Sequence, residues 1–367
     1  MIWTGVFCVA REPKHKKMYV LSVDFLVVTL CVAATVAVSS LTPNAKPSGA
    51  TFSHLEKSMS AIAPLLNQTA RLTPEQLKAQ LSSVAAATNR PAISAKVDVN
   101  WRLIPGLNGV TLNEQATIDR VKWTDNTVAP RDVHLVYQQI PPTVDISNFV
   151  AEPIYRGNPQ KREMSLMFNV AWGTEYVPQI LNILHRYHVR STFFLDGSWT
   201  KKNPLVAKSI LDAGMELGNH GYNHPMMSRI SRDKMISQIQ RTNTVIQQAT
   251  GVTPTLFAPP AGDFNQMVVR VAAGLKMRSI LWTLDTIDWR KPQPSVIVSR
   301  IVKRHEPGAL VLMHPTAPTV SALPSMIEAL QKAGYRLVPV SELISPVRPT
   351  PATLADYLGT SVLSTYG

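Results

Sequence analysis

The sequence predicts an α/β fold in its C-terminal half, built as a barrel of seven parallel strands. From about residue 164 onward, short apolar runs alternate with amphipathic runs, a pattern typical of strands separated by helices. The seven apolar runs fall within about 180 residues, and this spacing favours a closed or nearly closed barrel over an open sheet. Polar residues follow several of the runs, where the active site of such a barrel lies.

Composition limits the functional classes. The chain has 367 residues, enough for one large domain and a smaller one, and 45% of them are hydrophobic, so a proper core can form. A formal net charge of +13 and a pI near 9.8 indicate an anionic environment such as cell-wall polymer, acidic glycan, membrane surface or nucleic acid. The basic residues are dispersed and no nucleic-acid motif is present, so we expect no nucleic-acid partner.

Cysteine usage restricts the chemistry of any metal site. The two cysteines, Cys8 and Cys31, both lie near the N-terminus, and the rest of the chain has none. A disulfide framework is therefore excluded, and a metal in the main domain must use nitrogen and oxygen ligands.

Residues 1–40 are predicted to be a signal peptide or an N-terminal membrane anchor. The basic residues Lys14, Lys16 and Lys17 precede an apolar run over residues 25–38, and the positive-inside bias places the following chain outside the membrane. We therefore expect an exported protein of the cell envelope, either secreted or held to the membrane by this segment. Met18 is an alternative start, and it would remove the basic cluster.

A linker over residues 41–52 and a small α+β module over residues 53–158 are predicted to precede the barrel. Residues 53–88 have helical spacing, with Thr73 as a plausible N-cap and Pro74 at the first helical position. Residues 97–150 alternate and carry Pro and Gly breaks, which indicates short strands. No motif with recognisable chemistry occurs in this module.

The barrel is assigned to residues 159–346, followed by a C-terminal tail over residues 347–367. The predicted strands are 165–170, 191–196, 215–219, 255–259, 279–284, 309–313 and 336–340. The polar residues at their C-terminal ends are Asn169, His220, His224, Asp285, Asp288 and His314. With "FAPPAGD" (257–263) after the fourth strand, five strand ends carry polar groups, which makes these residues candidates for one site.

The same residues carry a resemblance to a known family. The segments "FNVAWG", "LGNHGYNHP", "FAPPAG", "LDTIDW" and "ALVLMHP" resemble, in order, the five motifs of the NodB-type polysaccharide deacetylases, carbohydrate esterase family 4. The resemblance covers roughly residues 160–343 and implies a distorted (β/α)7 barrel of the NodB deacetylase type. The "NVAWG" segment is similar to that of a sporulation-associated branch of the family in Gram-positive bacteria.

The resemblance implies a role for each candidate residue. His220 and His224 match the two histidines that hold a divalent metal, often zinc, and His314 matches the general acid. Asp285 and Asp288 match the motif whose acid orients that histidine. The expected substrate pocket residues are Trp172, Pro259, Pro260, Trp289 and Leu312. In this chemistry the metal activates water and polarises the amide carbonyl, a base takes the water's proton, and the acid protonates the leaving amine.

The chain departs from the family at two positions. The first motif of the family has two adjacent aspartates, the base and the third metal ligand, whereas this chain has neutral Asn169 at the base position and no carboxylate at either. The third motif has an arginine that contacts the base, and Ala258 stands in its place. Carboxylates nearby in the sequence are Glu175, Asp196 and Asp263, of which Asp263 could reach inward from the end of the fourth strand.

Two hypotheses therefore follow. The first is metal-dependent removal of N-acetyl groups from amino sugars of the cell envelope, with peptidoglycan as the expected substrate. The second is a catalytically degenerate member that binds N-acetylated glycan or scaffolds envelope or spore assembly. The missing carboxylates favour the second hypothesis, and the three retained histidines favour the first.

Overall fold

A computed structural model describes residues 71–364 of the chain. The N-terminal segment over residues 1–40, the linker over 41–52 and the helical pattern over 53–70 lie outside the described residues. None of the helices within 71–364 combines the length and apolarity needed to cross a membrane.

The first described helix begins where the capping pattern predicts. Helix α1 (Pro74–Thr88) has Thr73 as its N-cap, and the side chain of Thr73 accepts a hydrogen bond from the backbone N–H of Gln76. The Gln76 side chain in turn accepts from the Thr73 N–H at 2.9 Å, which completes a capping box. The predicted cap at Thr73 and the proline at the first helical position are confirmed.

Short strands follow, as the alternating pattern predicts. Strands β1 (Lys96–Asp98) and β2 (Arg102–Ile104) form one antiparallel pair. Strand β3 (Gly109–Leu112) is followed by helix α2 (Glu114–Ile118) and pairs with β4 (Tyr137–Ile140). The apolar faces of α1 and β3 meet in one cluster that also includes Leu354, at the start of the last helix.

The barrel sheet contains eight parallel strands. In chain order these are β5 (Glu163–Val170), β6 (Thr192–Leu195), β7 (Glu216–Asn219), β8 (Leu256–Phe257), β9 (Arg278–Ser279), β10 (Leu284–Asp285), β11 (Leu310–Met313) and β12 (Arg336–Leu337). Their spatial order is β10-β11-β5-β6-β7-β8-β9, with β12 pairing beside the first half of β5. All neighbouring pairs are parallel, so every strand presents its carboxyl end at the same edge.

Helices separate the strands and cover the outside of the sheet. They are α3 (Val177–Arg186), α4 (Gly197–Lys202), α5 (Pro204–Asp212), α6 (Arg232–Thr250), α7 (Gln266–Gly274), α8 (Pro294–Val302) and α9 (Ala317–Lys332). Helix α10 (Val340–Ile344) follows the last strand and joins the interior core, and α11 (Leu354–Ser364) begins in the cluster of α1 and β3. Alternate residues of β5, such as Phe168, join a core with these helices, whereas Met167 joins a second core inside the barrel. Asn169 has the same parity as Met167, so its side chain faces the interior.

The single strand predicted over 279–284 is wrong, because two strands occupy this stretch. Strands β9 and β10 lie at the two ends of the sheet, which is an open half-barrel rather than a closed ring. Between them the backbone changes partners, since Leu281 N–H donates to Ile154 and Thr283 N–H donates to Leu310. Because Ile280 and Leu281 are buried, residues 279–284 resemble one strand in the sequence, although they cross the gap between the two edge strands of the sheet.

The end of the barrel opposite the strand carboxyl ends contains a buried ion pair. The Lys161 ammonium lies 2.9 Å from Glu163, and their side chains are 2% and 1% exposed. Lys161 also donates to the backbone carbonyls of Glu342, within α10, and of Ser345, just after it. Glu163 in turn pairs with Arg336 on β12. Burial lowers the pKa of Lys161, and the adjacent Glu163 carboxylate opposes that effect. The pair therefore joins β5 to the C-terminal part of the barrel.

Lys161→Met should lower the free energy of unfolding by about 3 kcal/mol or more, because it leaves Glu163 buried with one fewer cation. Urea denaturation measures the loss. Lys208→Met is the matched control, since Lys208 pairs with Asp212 on an exposed face of α5, and it should cost under about 1 kcal/mol. Equal losses in the two variants would contradict a structural role for the buried pair.

Candidate active site

The carboxyl ends of β5, β6, β7, β10 and β11 bring the candidate residues to one edge of the sheet. Asn169, next to last on β5, is 3% exposed, and its Oδ1 is buried without a hydrogen-bond partner. Ala258 follows β8 and is completely buried in the interior core, so no cation stands where the resemblance predicts an arginine. The position that matches the family's base therefore holds a neutral amide, and the position that matches its arginine holds a buried alanine.

His220 and His224 follow β7 and face each other. Their ring centroids are 5.2 Å apart with an interplanar angle of 69°. His220 donates through Nδ1 to the carbonyl of Ala258 at 2.8 Å, which leaves Nε2 as the unprotonated nitrogen. Burial is the main cause that lowers the pKa of His220 to about 3, and the positive charge of His224 adds to it. His220 is therefore a neutral imidazole held in one tautomer.

The backbone around the second histidine adopts a conformation that is costly for non-glycine residues. His224 has φ of +54°, in the left-handed region, and Ala261 and Ile287 at the neighbouring strand ends have the same value. For a β-branched residue such as Ile287 this conformation is a clear outlier. Strained backbone conformations persist where many surrounding contacts hold them in place, and they are frequent at functional sites.

His314 is held by a buried carboxylate. Asp288 is fully buried, and its Oδ1 lies 2.8 Å from His314 Nδ1. Its Oδ2 accepts from the His314 backbone N–H at 2.6 Å and from the Thr319 hydroxyl at 2.5 Å. This arrangement fixes the imidazole and directs Nε2 away from Asp288, as a proton donor or acceptor requires.

The two aspartates of the fourth motif differ in their contacts. Asp285 accepts from the backbone N–H of Ile287 at 2.8 Å, so it caps its own loop, whereas Asp288 contacts His314. Burial raises the pKa of Asp285, and the hydrogen bond from Ile287 opposes that shift. The sequence alone did not distinguish the two aspartates, and Thr319 carried no signal in the sequence.

Two half-exposed tryptophans follow β5 and β10, the strands on either side of β11. Trp172, just after β5, lies parallel to the His314 ring, with centroids 5.8 Å apart and an interplanar angle of 8°. Trp289, just after β10, is 47% exposed and lies under the guanidinium of Arg290 at 4.7 Å. Because β11 lies between β10 and β5, His314 follows the strand that lies between those preceding the two tryptophans. The remaining expected pocket residues, Pro259, Pro260 and Leu312, are buried at the same strand ends.

The nearby carboxylates lie in different surroundings. Asp263 accepts from the backbone N–H and hydroxyl of Ser228, so it is held on another loop rather than reaching inward. Glu175 is exposed. Asp196, directly after β6, is 2% exposed and has the parity of the inward-facing Phe194. The sequence names both as nearby carboxylates, but Asp263 was the one expected to reach inward; the two-residue alternation of β6 could have indicated Asp196 instead.

The donor set only partly fits a divalent metal. His220 and His224 supply two imidazoles, and the Ala258 carbonyl orients His220 as outer partners of metal-binding histidines do. Across residues 71–364, however, no three His, Cys, Asp or Glu side chains are grouped to hold one ion. A catalytic zinc normally takes three protein ligands, so this set is incomplete for one.

Comparison with known proteins identifies the family. A family model for polysaccharide deacetylase matches residues 156–280. A peptidoglycan-N-acetylglucosamine deacetylase from Bacillus cereus is 35% identical over 187 residues, which is 49% of this chain and 87% of that protein. The chain belongs to the polysaccharide deacetylase family. Members of this family are generally metal-dependent.

Two further relatives extend the similarity beyond the barrel. The protein YlxY of Bacillus subtilis is 42% identical over 255 residues, covering 70% of this chain and 79% of YlxY. The crystal structure of BA3943 from Bacillus anthracis, described as a CE4 family pseudoenzyme, has 39% identity and a TM-score of 0.68, covering 74% of this chain and 96% of that one. A mutant of BA3943, 38% identical with a TM-score of 0.67 over 74% of this chain and 99% of that one, is described as having restored enzymatic activity.

The depressed pKa of His220 predicts a pH dependence of stability. The folded state cannot bind a proton at His220 until about pH 3, whereas the unfolded chain binds one below about pH 6.5. The free energy of unfolding therefore decreases as pH falls from about 6.5 towards 3. Between pH 7 and pH 5 this decrease should be about 2 kcal/mol smaller in His220→Gln than in wild type, because the variant lacks the buried imidazole.

Urea denaturation in EDTA at both pH values measures this difference. His185→Gln, on the exposed side of α3, is the matched control and should follow the wild-type pH dependence. A His220→Gln protein whose pH dependence equals that of wild type would refute the buried neutral imidazole.

Proposed function

We propose that this protein binds N-acetylated glycan of cell-envelope peptidoglycan at the barrel mouth without hydrolysing it. The observation that carries the proposal is Asn169, a buried neutral amide at the position of the base. An amide cannot accept the proton of an attacking water, and the arginine expected beside it is replaced by buried Ala258. The similarity to a family pseudoenzyme supports the same conclusion.

The retained part of the site suits carbohydrate recognition. Trp172 and Trp289 are 44% and 47% exposed and follow the two strands that neighbour β11, which precedes His314. Large aromatic rings at a polar mouth offer apolar contact area for the faces of sugar rings, while His314 supplies a ring nitrogen for hydrogen bonding. Peptidoglycan is the proposed glycan because relatives bear the name peptidoglycan-N-acetylglucosamine deacetylase.

The cellular setting is part of the proposal. The N-terminal sequence supports export to the envelope, with attachment to the membrane through residues 1–40 if they are not cleaved. The "NVAWG" segment supports a role in spore or envelope assembly. The net charge of +13 is compatible with an anionic wall.

Metal-dependent deacetylation of the same glycan is the second candidate function. The His314–Asp288 contact at 2.8 Å favours it, because a glycan-binding surface does not require an imidazole oriented by a fully buried carboxylate. The neutral His220, oriented by the Ala258 carbonyl, also favours it, since zinc would be the expected metal at such a nitrogen.

Wild-type protein incubated with zinc and N-acetylglucosamine oligomers should release no more acetate than the His314→Ala variant. Asn169→Asp should release more acetate than either, because a correctly placed base contributes roughly 100-fold or more. An acetate assay on the full chain measures both. Release by wild type above the His314→Ala control would establish the second candidate in place of the first.

Trp172→Ala should weaken binding of N-acetylglucosamine oligomers about tenfold, equivalent to about 1.4 kcal/mol, through loss of the exposed indole surface. Isothermal titration calorimetry on the full chain measures the affinity. Val252→Ala is the control, since Val252 is 37% exposed in the loop that precedes β8, at the strand amino ends. Unchanged affinity in Trp172→Ala would remove the tryptophan from the binding surface.

A further inference from the structure

Two buried oxygen atoms at neighbouring strand ends have no hydrogen-bond partner. One is Oδ1 of Asn169 on β5, and the other is Oδ2 of Asp196 directly after β6. The second carboxylate oxygen, Oδ1 of Asp196, accepts from the Ser198 hydroxyl at 2.7 Å and the Trp199 backbone N–H at 2.9 Å. An acceptor buried without a donor is costly, and the cost is larger for a charged group.

Strand register places the two residues that carry these oxygens on the same face of neighbouring strands. Val170 pairs with Leu195, and the backbone N–H of Asp196 donates to the Val170 carbonyl at 2.9 Å, so the strands are still joined at this point. Asn169 is the register partner of Phe194, which faces the interior, and Asp196 lies two residues beyond Phe194 on the same face. Asn169 and Asp196 are therefore diagonal neighbours inside the barrel.

We propose that Asn169 and Asp196 form one hydrogen-bonded pair, in which the Asn169 amide donates Nδ2–H to Oδ2 of Asp196. A half-turn of the amide exchanges its oxygen for its nitrogen without changing its shape. The turn moves Oδ1 of Asn169 away from the buried position and puts Nδ2 there. Nδ2–H then donates to Oδ2 of Asp196, so neither atom is left buried without a partner.

The pair accounts for a neutral residue at position 169. Burial raises the pKa of Asp196, whereas hydrogen bonds from Ser198 and Trp199 and the charge of His224 lower it. A third donor from Asn169 would further favour the ionised form. A carboxylate at 169 would instead repel Asp196 across a short distance inside the barrel. The inference shares its site with the proposed function but does not depend on glycan binding.

A double-mutant cycle on the full chain tests the pair. Asn169→Asp alone places two carboxylates together and should lower the Tm by roughly 5 °C at pH 7.5 in EDTA. Asp196→Asn alone should change the Tm little, because Asn remains a good N-cap for α4. The exchange Asn169→Asp with Asp196→Asn restores one carboxylate and one amide, and should recover more than half of the loss. Additive shifts would overturn the pair.

A control cycle and a second measurement complete the test. Asp263 is bound to Ser228 on another loop, so Asn169→Asp combined with Asp263→Asn should show additive shifts. If Asn169→Asp does not fold, selective ¹⁵N-asparagine labelling of folded protein reports the Asn169 side-chain amide, whose signal is assigned by its absence in Asn169→Ala. That signal should move on Asp196→Ala and stay in place on Asp263→Ala. A signal that does not respond to Asp196→Ala would refute the pair even if glycan binding is intact.

Discussion

The candidate site depends on the burial of β5 on both of its faces. All eight of its residues are buried, with β11 along one edge and β12 followed by β6 along the other. A slip of one residue would exchange the interior and exterior side chains, moving Phe168 inward and Asn169 towards the helices. The register of this strand therefore decides which residue of the first motif faces the other strand ends.

The site combines a retained half with an altered half. On β10 and β11, Asp288 holds His314 with a contact of 2.8 Å and satisfies its second oxygen with Thr319. On β5 and β8, the charged residues expected from the family are replaced by Asn169 and Ala258. Loss of the base and of its expected cationic partner together leaves no unpaired charge of the opposite sign, which explains how the barrel tolerates both replacements.

Most of the framework was accessible from local patterns. The cap at Thr73, the short strands of the N-terminal module and the strand ends that carry Asn169, His220 and His314 follow from capping chemistry and two-residue alternation. The split of residues 279–284 was not accessible, because an apolar run reports burial and not the identity of its hydrogen-bond partners. Assignment of His314 to Asp288 rather than Asp285 required the actual contact distance.

The sequence by itself determined the family, the order of the strands along the chain and the absence of the two expected acids, since each is a property of residue identity and spacing. Only the tertiary structure decided which groups meet. Asp263 has the right position in the chain to replace a lost carboxylate but binds Ser228, whereas Asp196 lies beside Asn169. The reason is that side-chain partners depend on the parity and register of neighbouring strands, which join residues far apart in the chain.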